Sequence, residues 1–559
     1  MKRLPLGVQS FPEIIEQNYV YADKTRFIHE ILSFAGKTFF LARPSRFGKT
    51  LLLSAFEALF SGRKDLFDGL WIGENAKTQG SSNNAYNLEE SFPIINLNFA
   101  SFDFDSPQIL EAGITHRLKS IARSYDLNID APTLPALFAE FIRNLKRKYQ
   151  KNVVLLIDEY DAPVSGNIDD LELAQKNARV LKNFYASLKP LIKDLRFVFI
   201  TGITSYAMLW RIPALNHVIN LTMDKRFSTV CGFTHEEMDS CFKDYYPIAL
   251  EKFKNSNSLG PNDAIAEARQ KILDMYDGYS WDGIKKVLNP HSLLYFFYNN
   301  QFQRYWADMD SPSKLITDFV LQNPLYFARE TLSTFGSEKL EMADPNYWAP
   351  EPLLFQKGYL TLDKIVQIPN HFHEYRLRIP NAEIDFKFKS EFTQFLFETL
   401  NTRPDDEKEI FTAALFCEDA EKISAQITAN LRKIISQSSA KVERVLHGAL
   451  FFYFYGLPDV EVLFEPAGAD TPPDLVVKFD DGLYVIIELK FQYAKKDSLT
   501  KRKIKEITRP LARQGLKDIE DINYGAPYMV GATKIHKLGL GIYGEGHCLA
   551  LLKTEKRTA

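Results

Sequence analysis

Short apolar runs recur through the first half of the chain. Each is bounded by polar or turn-forming residues and is rich in β-branched and aromatic side chains, which predicts a buried strand. Segments with helical periodicity, such as Leu51–Leu59 and Leu181–Leu191, separate the runs. Strands that alternate with helices predict a mainly parallel sheet covered by helices on both faces. The predicted strands are Thr38–Leu41, Ile94–Asn98, Val153–Ile157, Phe197–Ile200 and Val218–Leu221.

The pattern changes near residue 235. Helical segments such as Ala264–Met275 and Pro290–Tyr298 then dominate, with a short β-like stretch at Tyr375–Ile379. The polar, proline-containing segment Asn401–Glu407 is predicted to be a linker. We therefore expect an α/β domain over residues 1–234, a mainly helical middle domain over 235–400 and a C-terminal domain over 408–559.

The C-terminal part of the chain ends in a hairpin-like pattern. A helix-rich stretch comes first, and three segments with strand character follow it. The dipeptide Asp481-Gly482 predicts a tight turn between the last two. The three segments are Val460–Phe464, Leu475–Phe479 and Tyr484–Leu489.

The composition is ordinary for a globular protein of more than one domain. The chain has 559 residues, of which 45% are hydrophobic and 25% charged. Its formal net charge is -3, so contact with nucleic acid would require a local basic patch. The four cysteines form no CxxC pair, which favours reduced thiols. Because no signal-peptide core and no membrane-length apolar stretch is evident, we expect a cytoplasmic protein without membrane contact.

The segment RPSRFGKT, which begins at Arg43, stands between a predicted strand and a predicted helix, the context of a phosphate-binding loop. Gly48 lets the backbone approach phosphate oxygens, and the N–H groups at the helix start attract the anion. Lys49 is expected to neutralise the β- and γ-phosphates and Thr50 to hold Mg²⁺. Arg43 replaces the usual glycine, so Arg43 and Arg46 are expected to flank the phosphates. For this motif alone, a chance Gly-Lys-Thr is the alternative.

A second motif, VVLLIDEYDAP, ends an apolar strand in two acids. Asp158 is expected in the Mg²⁺ shell, and Glu159 is placed to orient or deprotonate an attacking water. The strand IINLN lies between the two motifs in sequence, which leaves room for an extra strand between the Walker strands. Thr201 is a candidate γ-phosphate sensor, with a hydrogen-bonded strand-end hydroxyl as the alternative. With ATP and Mg²⁺ as cofactors, the predicted binding residues are Arg43, Arg46, Phe47, Gly48, Lys49, Thr50, Asp158 and Thr201.

The chain resembles the AAA-ATPase-like proteins of bacteria that carry a C-terminal PD-(D/E)XK nuclease domain. The resemblance implies an α/β fold: an AAA-like P-loop NTPase parallel-sheet sandwich, a helical middle region and a C-terminal α/β restriction-endonuclease-like domain. It also implies ATP binding, with hydrolysis expected. The matching blocks are Tyr21–Thr25, Ala42–Leu51, Ile157–Pro163, Ile200–Ser205, Gly232–Thr234, Tyr276–Tyr279, Asn289–Leu294, Lys357–Thr361 and Ile379–Asn381.

A candidate nuclease site lies in the C-terminal hairpin. The signature needs an acid at the start of one strand, here Asp474, and Glu-x-Lys on the next, here Glu488 and Lys490. Alternate residues of a strand share a face, so the last two point the same way. The carboxylates are expected to bind Mg²⁺, and Lys490 to position or deprotonate the water. A charged surface hairpin is the alternative, but Glu488 interrupts the apolar run YVIIEL, where a charge is costly.

The resemblance adds an acid from the preceding helix, Glu443, with His447 one turn later on the same face. Glu465 is a weaker additional acid. Two departures from the family pattern count against activity. A Pro-Pro pair precedes Asp474 where Gly-Arg is common, and Asp518, with Gln514 one turn earlier, takes the place of a usual glutamine. The predicted metal ligands of both sites are Thr50, Asp158, Glu443, Asp474 and Glu488.

A basic segment follows the candidate nuclease site. Residues 490–517 contain ten Lys and Arg but only two acids. Such a segment beside a metal-carboxylate site suits a phosphate backbone, and a solvated helix face is the alternative. The cations include Lys495, Lys496, Lys501, Arg502, Lys503, Lys505, Arg509 and Arg513.

Together these features predict a P-loop ATPase coupled to a metal-dependent nuclease that acts on nucleic acid, with DNA favoured over RNA. A homo-oligomer is left open. The first alternative is a regulatory or signalling NTPase whose C-terminal domain is an inactive binding module. The second is a small-molecule phosphotransferase, which would need an acceptor pocket in place of Glu159 near the γ-phosphate.

Overall fold

The computed structural model describes most of the chain. The described residues are 1–79, 87–167, 170–205, 218–253, 261–309, 334–336, 340, 350–367, 373–435, 442–464, 472–479, 482–492, 499–522, 524, 532–544 and 546–556. They fall into two compact units. The first unit comprises Met1–Asp310 and Ser333–Asp385, and the second comprises Ser311–Leu332 and Phe386–Ala559. Residues 235–309 therefore belong to the same unit as the phosphate-binding loop, while the predicted three-domain division stays a prediction.

The first unit combines a large sheet, a smaller sheet and many short helices. Its strands are β1 (Thr38–Ala42), β2 (Ile94–Asn98), β3 (Val153–Asp158), β4 (Leu195–Gly202), β5 (Ile219–Asn220), β6 (Thr334–Gly336), β7 (Thr361–Gln367) and β8 (His373–Arg378). Its helices are α1 (Phe11–Glu16), α2 (Thr25–Leu32), α3 (Lys49–Phe60), α4 (Trp71–Gln79), α5 (Pro107–Ser124), α6 (Leu134–Tyr149), α7 (Ala162–Ser165), α8 (Leu171–Ala186), α9 (His235–Cys241), α10 (Tyr246–Phe253), α11 (Pro261–Tyr276), α12 (Pro290–Asn299) and α13 (Pro350–Lys357).

The large sheet confirms the predicted parallel architecture. Its strand order is β2-β3-β4-β1-β5, and every pair is parallel. Strands β1, β3 and β4 are buried on both faces, apart from one partly buried position, which explains why they appear in the sequence as continuous apolar runs. The strand between the two Walker strands is β4, whereas the IINLN strand, β2, lies at the sheet edge. The carboxyl ends of β1, β3 and β4 thus meet at one edge, where ligands bind in open α/β sheets.

The residues that follow the large sheet form a separate hydrophobic cluster and a small sheet in the first unit. Helices α9 to α12 bury aromatic side chains together with residues near the N-terminus, including Val20 and Ala22. A three-stranded antiparallel sheet of order β6-β8-β7 follows, so the predicted β-like stretch at Tyr375–Ile379 corresponds to β8. The helix predicted over Leu181–Leu191 ends earlier, at Ala186, and a 3₁₀ turn follows at Lys189–Asp194, where a proline cannot donate a helical hydrogen bond.

The second unit is a mixed sheet with helices. Its strands are β9 (Val460–Phe464), β10 (Leu475–Phe479), β11 (Leu483–Gln492), β12 (Lys534–Tyr543) and β13 (His547–Lys556). Its helices are α14 (Ala382–Leu400, whose first residues belong to the first unit), α15 (Pro404–Phe416), α16 (Ala420–Ile435), α17 (Val442–Tyr455) and α18 (Lys501–Asp521). The strand order is β13-β12-β11-β10-β9, with only the β11–β12 pair parallel. The hairpin predicted between β10 and β11 is confirmed, and Asp481 of its turn lies outside the described residues.

Helix α18 lies close against the centre of this sheet. Gly541 and Gly539 on β12 make the approach possible, because a Cβ at either position would overlap backbone atoms of the helix. Ile519 of α18 packs into a cluster that includes Val476 and Ile486 of the neighbouring strands. The helix that follows β11 is therefore held against the strand that carries Glu488 and Lys490.

The segment Asn401–Glu407 is not the predicted linker. Helix α15 begins at Pro404, where proline suits a first helical turn and three acids favour its N-terminal end. Glu407 is buried and accepts hydrogen bonds from Gln426, Asn430 and Tyr453. The polar composition therefore marks a helix start inside the second unit. Every described helix is too short or too polar to cross a bilayer.

Candidate nucleotide and nuclease sites

The phosphate-binding loop has the backbone shape that the sequence predicts. Gly48 adopts a φ of 98° and precedes α3, and Arg46 also has a positive φ, 61°. These left-handed residues turn the chain from β1 into the helix, whose first N–H groups then face the loop interior. The Lys49 ammonium is buried in this turn, 3.1 Å from the Pro44 carbonyl oxygen and 3.5 Å from Glu159 Oε1.

Two hydroxyl groups converge on the Asp158 carboxylate. Thr50 Oγ1 donates to Asp158 Oδ2 at 2.7 Å, and the Thr201 hydroxyl donates to Asp158 Oδ1. The buried Thr201 side chain is thus engaged with the acid at the end of β3. The structure brings Lys49, Thr50, Asp158, Glu159 and Thr201 together, although the sensing role of Thr201 stays a prediction.

Glu159 is held in an unusual conformation. Its φ is 48°, which is rare for a residue with a long side chain. Burial raises the pKa of its carboxyl; Lys49 opposes this shift, and Asp161 and Asp158 add to it. A carboxyl with a raised pKa is better suited to accept a proton near neutral pH.

Asp161 is a residue of this site that the sequence reasoning did not single out. Its fully buried carboxylate accepts hydrogen bonds from the backbone N–H groups of Ile203 and Thr204, at 3.1 and 2.8 Å, and from the Thr204 hydroxyl. The segment after β4 is thereby tied to the turn after β3. The only signal in the sequence is the third acid of the run DEYD.

Arg43 does not flank the phosphates as expected. Its side chain is buried, and its guanidinium donates to the carbonyl oxygens of Ala42, Thr222 and Phe227 at 2.8 to 2.9 Å. The Trp281 ring centroid lies 4.0 Å from the guanidinium carbon. Because these neighbours already occupy the side chain, Arg43 stabilises the loop base.

The remaining loop residues divide into exposed and buried groups. Arg46 is exposed and lines the cavity beside the loop. The Phe47 side chain is buried in edge-on contact with Tyr279 and Trp281, so only the Phe47 backbone can serve a nucleotide. The Trp306 indole N–H donates to the Ser45 carbonyl oxygen at 3.0 Å. Residues from the second half of the first unit therefore fix the loop from outside.

A cavity of about 330 Å³ opens beside the phosphate-binding loop. Gly48, Lys49, Thr50 and Glu159 form its polar end. Its other walls come from the N-terminal segment, from residues 230–233 and from the start of α12, which the sequence analysis did not assign to the site. Apolar side chains dominate these walls, among them Val8, Ile14, Val20, Ala22, Val230, Phe233 and Leu294.

The start of α12 contributes an imidazole to the cavity wall. His291 follows the capping residue Asn289 and lines the cavity. Burial, together with the nearby Arg46, lowers the pKa of His291 to about 4. The imidazole is therefore neutral at physiological pH and can donate or accept a hydrogen bond without adding charge.

The three core residues of the candidate nuclease site also converge. Leu489 N–H donates to Asp474 Oδ2 at 2.7 Å, and the Asp474 N–H lies 3.3 Å from Glu488 Oε2. Lys490 Nζ is 3.0 Å from Glu488 Oε1. Burial and the neighbouring Asp474 raise the pKa of Glu488, while Lys490 opposes the shift.

The helix that follows adds a partner for Lys490. Asp518 Oδ2 on α18 is 2.7 Å from Lys490 Nζ, and Gln514 donates to Asp518 Oδ1 at 2.6 Å. The pKa of Lys490 is raised by these carboxylates despite its partial burial. The ammonium is thus held between two acids, Glu488 and Asp518, while the correspondence of Asp518 and Gln514 to the family glutamine stays a prediction.

The side chains of the other predicted members of this site fall outside the described part of the structure. Glu443 and His447 lie on α17, whose side chains at these positions are not described, and Glu465 lies outside the described residues. Within the described residues, no group of three or more His, Cys, Asp or Glu side chains could hold a metal ion. A Mg²⁺ ion at either site would therefore take further oxygens from phosphate or water, as Mg²⁺ commonly does.

The basic segment is confirmed as a helix with an exposed charged face. Lys501, Arg502, Lys503, Lys505, Arg509 and Arg513 are all exposed on α18, and Lys495 and Lys496 lie outside the described residues. Arg502 pairs with Glu506, and Lys505 lies 3.5 Å from Glu421. The other four cations named on this helix have no carboxylate partner among the described residues.

Comparisons with known proteins give a family match for the N-terminal part of the chain. Residues 5–209 match a family model described as "Predicted AAA-ATPase", a stretch that holds the phosphate-binding loop and both Walker strands. The chain is 26% identical over 548 residues, or 96% of each protein, to the "Uncharacterized protein in vnfD 5'region" of Azotobacter chroococcum mcd 1. No solved structure matches the chain. The family match and the parallel sheet together indicate a nucleotide-binding NTPase.

Proposed function

We propose that the first unit binds ATP with Mg²⁺ and hydrolyses it. The observation that carries the proposal is the convergence of the Thr50 and Thr201 hydroxyls on Asp158, with Lys49 beside Glu159. P-loop NTPases use a lysine, a hydroxyl and a strand-end carboxylate in this relation. Phosphoryl transfer needs mainly positioning and charge stabilisation, which these groups can supply.

The cavity beside the loop suits a nucleotide. At about 330 Å³ it lies within the range of small-ligand sites, with one polar end and mostly apolar walls. The phosphates would lie against the N–H groups that follow Gly48, and the base against side chains such as Val20 and Leu294. Arg46, exposed at the loop, remains available to a phosphate oxygen.

The donor set near Asp158 fits Mg²⁺. Thr50 and Asp158 present hard oxygen atoms 2.7 Å apart, the ligand type that Mg²⁺ prefers. These two residues would hold the ion, which when bound neutralises charge on the phosphates. Lys49, now near Glu159, would donate to the phosphate oxygens, and Glu159 would accept the proton of the attacking water.

The test compares ATP binding and ATP turnover in wild type and Glu159→Gln. The variant keeps the side-chain shape but cannot accept a proton, so turnover should fall about 100-fold or more while ATP affinity is retained. Glu111→Gln, at an exposed position on α5, is the matched control and should behave as wild type. Turnover by Glu159→Gln at the wild-type rate would remove Glu159 from the mechanism.

We further propose that the second unit is a Mg²⁺-dependent nuclease that acts on nucleic acid, with DNA favoured over RNA. Asp474 and Glu488 support this proposal because their carboxylates lie close together: that of Asp474 accepts from the N–H of Leu489, next to Glu488, and that of Glu488 accepts from the N–H of Asp474. They would hold the metal ion, which supplies an activated water and stabilises charge on the phosphate. The exposed cations of α18 would contact the backbone.

A binding module without cleavage is the competing proposal for the second unit. The observation that favours it is the position of Lys490 between Glu488 and Asp518, because an ammonium paired with two acids is less able to serve a water. Asp518→Asn separates the two proposals, since it removes one of these acids while preserving shape. An active nuclease should keep or gain activity in this variant, and a binding module should cleave nothing in either form.

The cleavage assay uses single- and double-stranded DNA and RNA with Mg²⁺ or Mn²⁺, with and without ATP. Glu488→Gln and Asp474→Asn should lose metal affinity and cleavage together, and Lys490→Ala should lose cleavage but retain metal binding. The three effects should be strongly non-additive, because the groups act as a unit. If wild type cuts no substrate, or if Glu488→Gln cuts as well as wild type, the second unit is a binding module.

A further inference from the structure

A second concave surface on the first unit has a different character from the nucleotide cavity. It is a groove of about 680 Å³ formed by α2, by the turn after β5 and by a loop that follows α11. Its lining includes six basic or aromatic residues, Arg26, His29, Phe34, Lys225, Arg226 and Lys285. We call it the basic groove.

The charges of the basic groove are unbalanced. Glu30 pairs with Arg26 at 2.9 Å and Asp224 pairs with Arg226 at 2.6 Å, so the nearby acids are already engaged. Lys225 and Lys285 are exposed and have no carboxylate within salt-bridge distance among the described residues. The groove therefore offers a local positive surface on a chain whose formal net charge is -3.

Planar side chains, aromatic rings and a guanidinium group, lie near these cations. The Arg226 guanidinium carbon lies 4.6 Å from the Phe34 ring centroid, which layers the arginine over the aromatic ring. Trp71, which is 39% exposed, adjoins the groove: its ring centroid lies 5.2 Å from that of His29, a residue of the groove wall. Arginine planes and exposed aromatic rings are surfaces on which unpaired bases stack.

Backbone hydrogen bonds hold the two turns that carry Lys225 and Lys285. Arg43 donates to the Phe227 carbonyl oxygen at 2.9 Å, which fixes the backbone of the turn that carries Lys225. Asp282 accepts from the Lys285 backbone N–H at 2.8 Å, which fixes the backbone at the second lysine. A backbone that is already held loses less conformational entropy when the groove binds a ligand.

We propose that the basic groove binds single-stranded nucleic acid. Phosphates would contact Lys225 and Lys285, and unpaired bases would stack on Trp71 and on the Arg226 plane. A single small anion would need only one of these cations and none of the flat surfaces, whereas an unpaired strand presents both repeated phosphates and base faces. The proposal is independent of ATP hydrolysis and of cleavage by the second unit.

The test measures binding of a labelled single-stranded oligothymidylate to the full-length protein, without ATP and with a chelator to prevent cleavage. The charge reversal Lys225→Glu with Lys285→Glu should weaken binding at least about tenfold. Losing two phosphate contacts should also lower the slope of log affinity against log salt by about 1.4, at about 0.7 for each contact on a single strand. Lys182→Glu with Lys189→Glu is the matched control, because both lysines are exposed and neither lines the groove.

The same pair of reversals is repeated in a protein that already carries Lys501→Glu, Arg502→Glu and Lys505→Glu, so that binding by α18 is separated from binding by the groove. Trp71→Ala should weaken binding about tenfold without changing the salt slope, since stacking releases no counterions. Unchanged affinity after the groove reversal in both backgrounds would overturn the proposal. So would equally tight competition by inorganic polyphosphate combined with no effect of Trp71→Ala, which would indicate a simple anion site.

Discussion

Glu383 offers a quantitative test of the packing around the phosphate-binding loop. Its fully buried carboxylate accepts from the Ser292 hydroxyl and the Trp306 N–H, both at 2.8 Å, and from the Ala307 N–H at 3.2 Å. Because the Trp306 indole in turn donates to Ser45, this network supports the loop from outside. Burial raises the pKa of Glu383 from 4.5 to about 7, although its hydrogen bonds oppose the shift.

The raised pKa makes the stability of the protein depend on pH in a defined direction. Between pH 4.5 and about 7 the native state keeps a proton that the unfolded state has lost, so this group lowers the free energy of unfolding as pH rises through that window. At about 1.4 kcal/mol per pH unit, the contribution amounts to about 3 kcal/mol. Glu383→Gln removes the titratable group but keeps a similar shape and hydrogen-bonding capacity. The difference in free energy of unfolding between variant and wild type should therefore shift in favour of the variant by about this amount when the pH is raised from below 4.5 to above 7.

The assay is urea unfolding of the two full-length proteins at a series of pH values from 4 to about 8, with the transition of the first unit followed by tryptophan fluorescence. The quantity that matters is the difference in free energy of unfolding between variant and wild type. Groups common to both proteins, including the nearby Asp308, largely cancel in that difference. A difference that does not change with pH would refute the assignment of a buried, protonated carboxyl at Glu383.

Three further predictions address other parts of the molecule. Gly541→Ala should destabilise the second unit by about 1–3 kcal/mol, because the added methyl overlaps the α18 backbone. Calorimetry should show a lower unfolding temperature for the second unit, while ATP affinity is unchanged. Asp161→Asn weakens the hydrogen-bond acceptor that holds Thr204, so kcat for ATP should fall about tenfold with little change in ATP affinity. Equal losses in kcat and in ATP affinity would indicate general disruption of the fold. In wild type, the acidic limb of kcat against pH should lie above pH 4.5 because burial raises the pKa of Glu159, and a limb at or below 4.5 would exclude it as the base.

The parallel sheet and the centre of the nucleotide site could be predicted from the sequence. Strands buried on both faces leave continuous apolar runs, and a loop that binds phosphate needs glycine, lysine and threonine at fixed spacing. The apolar cavity walls could not be predicted in the same way. Val20, Phe233 and Leu294 are far apart in sequence, and nothing in their local pattern distinguishes a cavity wall from a core.

Arg43 shows a second limit of sequence reasoning. An arginine beside a phosphate loop is usually interpreted through its charge, but the side chain here is occupied by backbone carbonyls and by Trp281. Asn401–Glu407 shows a third, because proline and acids favour both linkers and helix starts. Burial of Glu407 decides between them, and burial depends on tertiary contacts.

The central claim is that the first unit binds ATP through Lys49, and equilibrium ATP affinity in wild type and Lys49→Ala tests it most directly. Removing the ammonium leaves the β- and γ-phosphates without their main side-chain cation, so affinity should fall about 100-fold. Lys182→Ala, at an exposed position on α8, should bind as wild type does. ATP affinity in Lys49→Ala equal to that of wild type would contradict the nucleotide-site assignment.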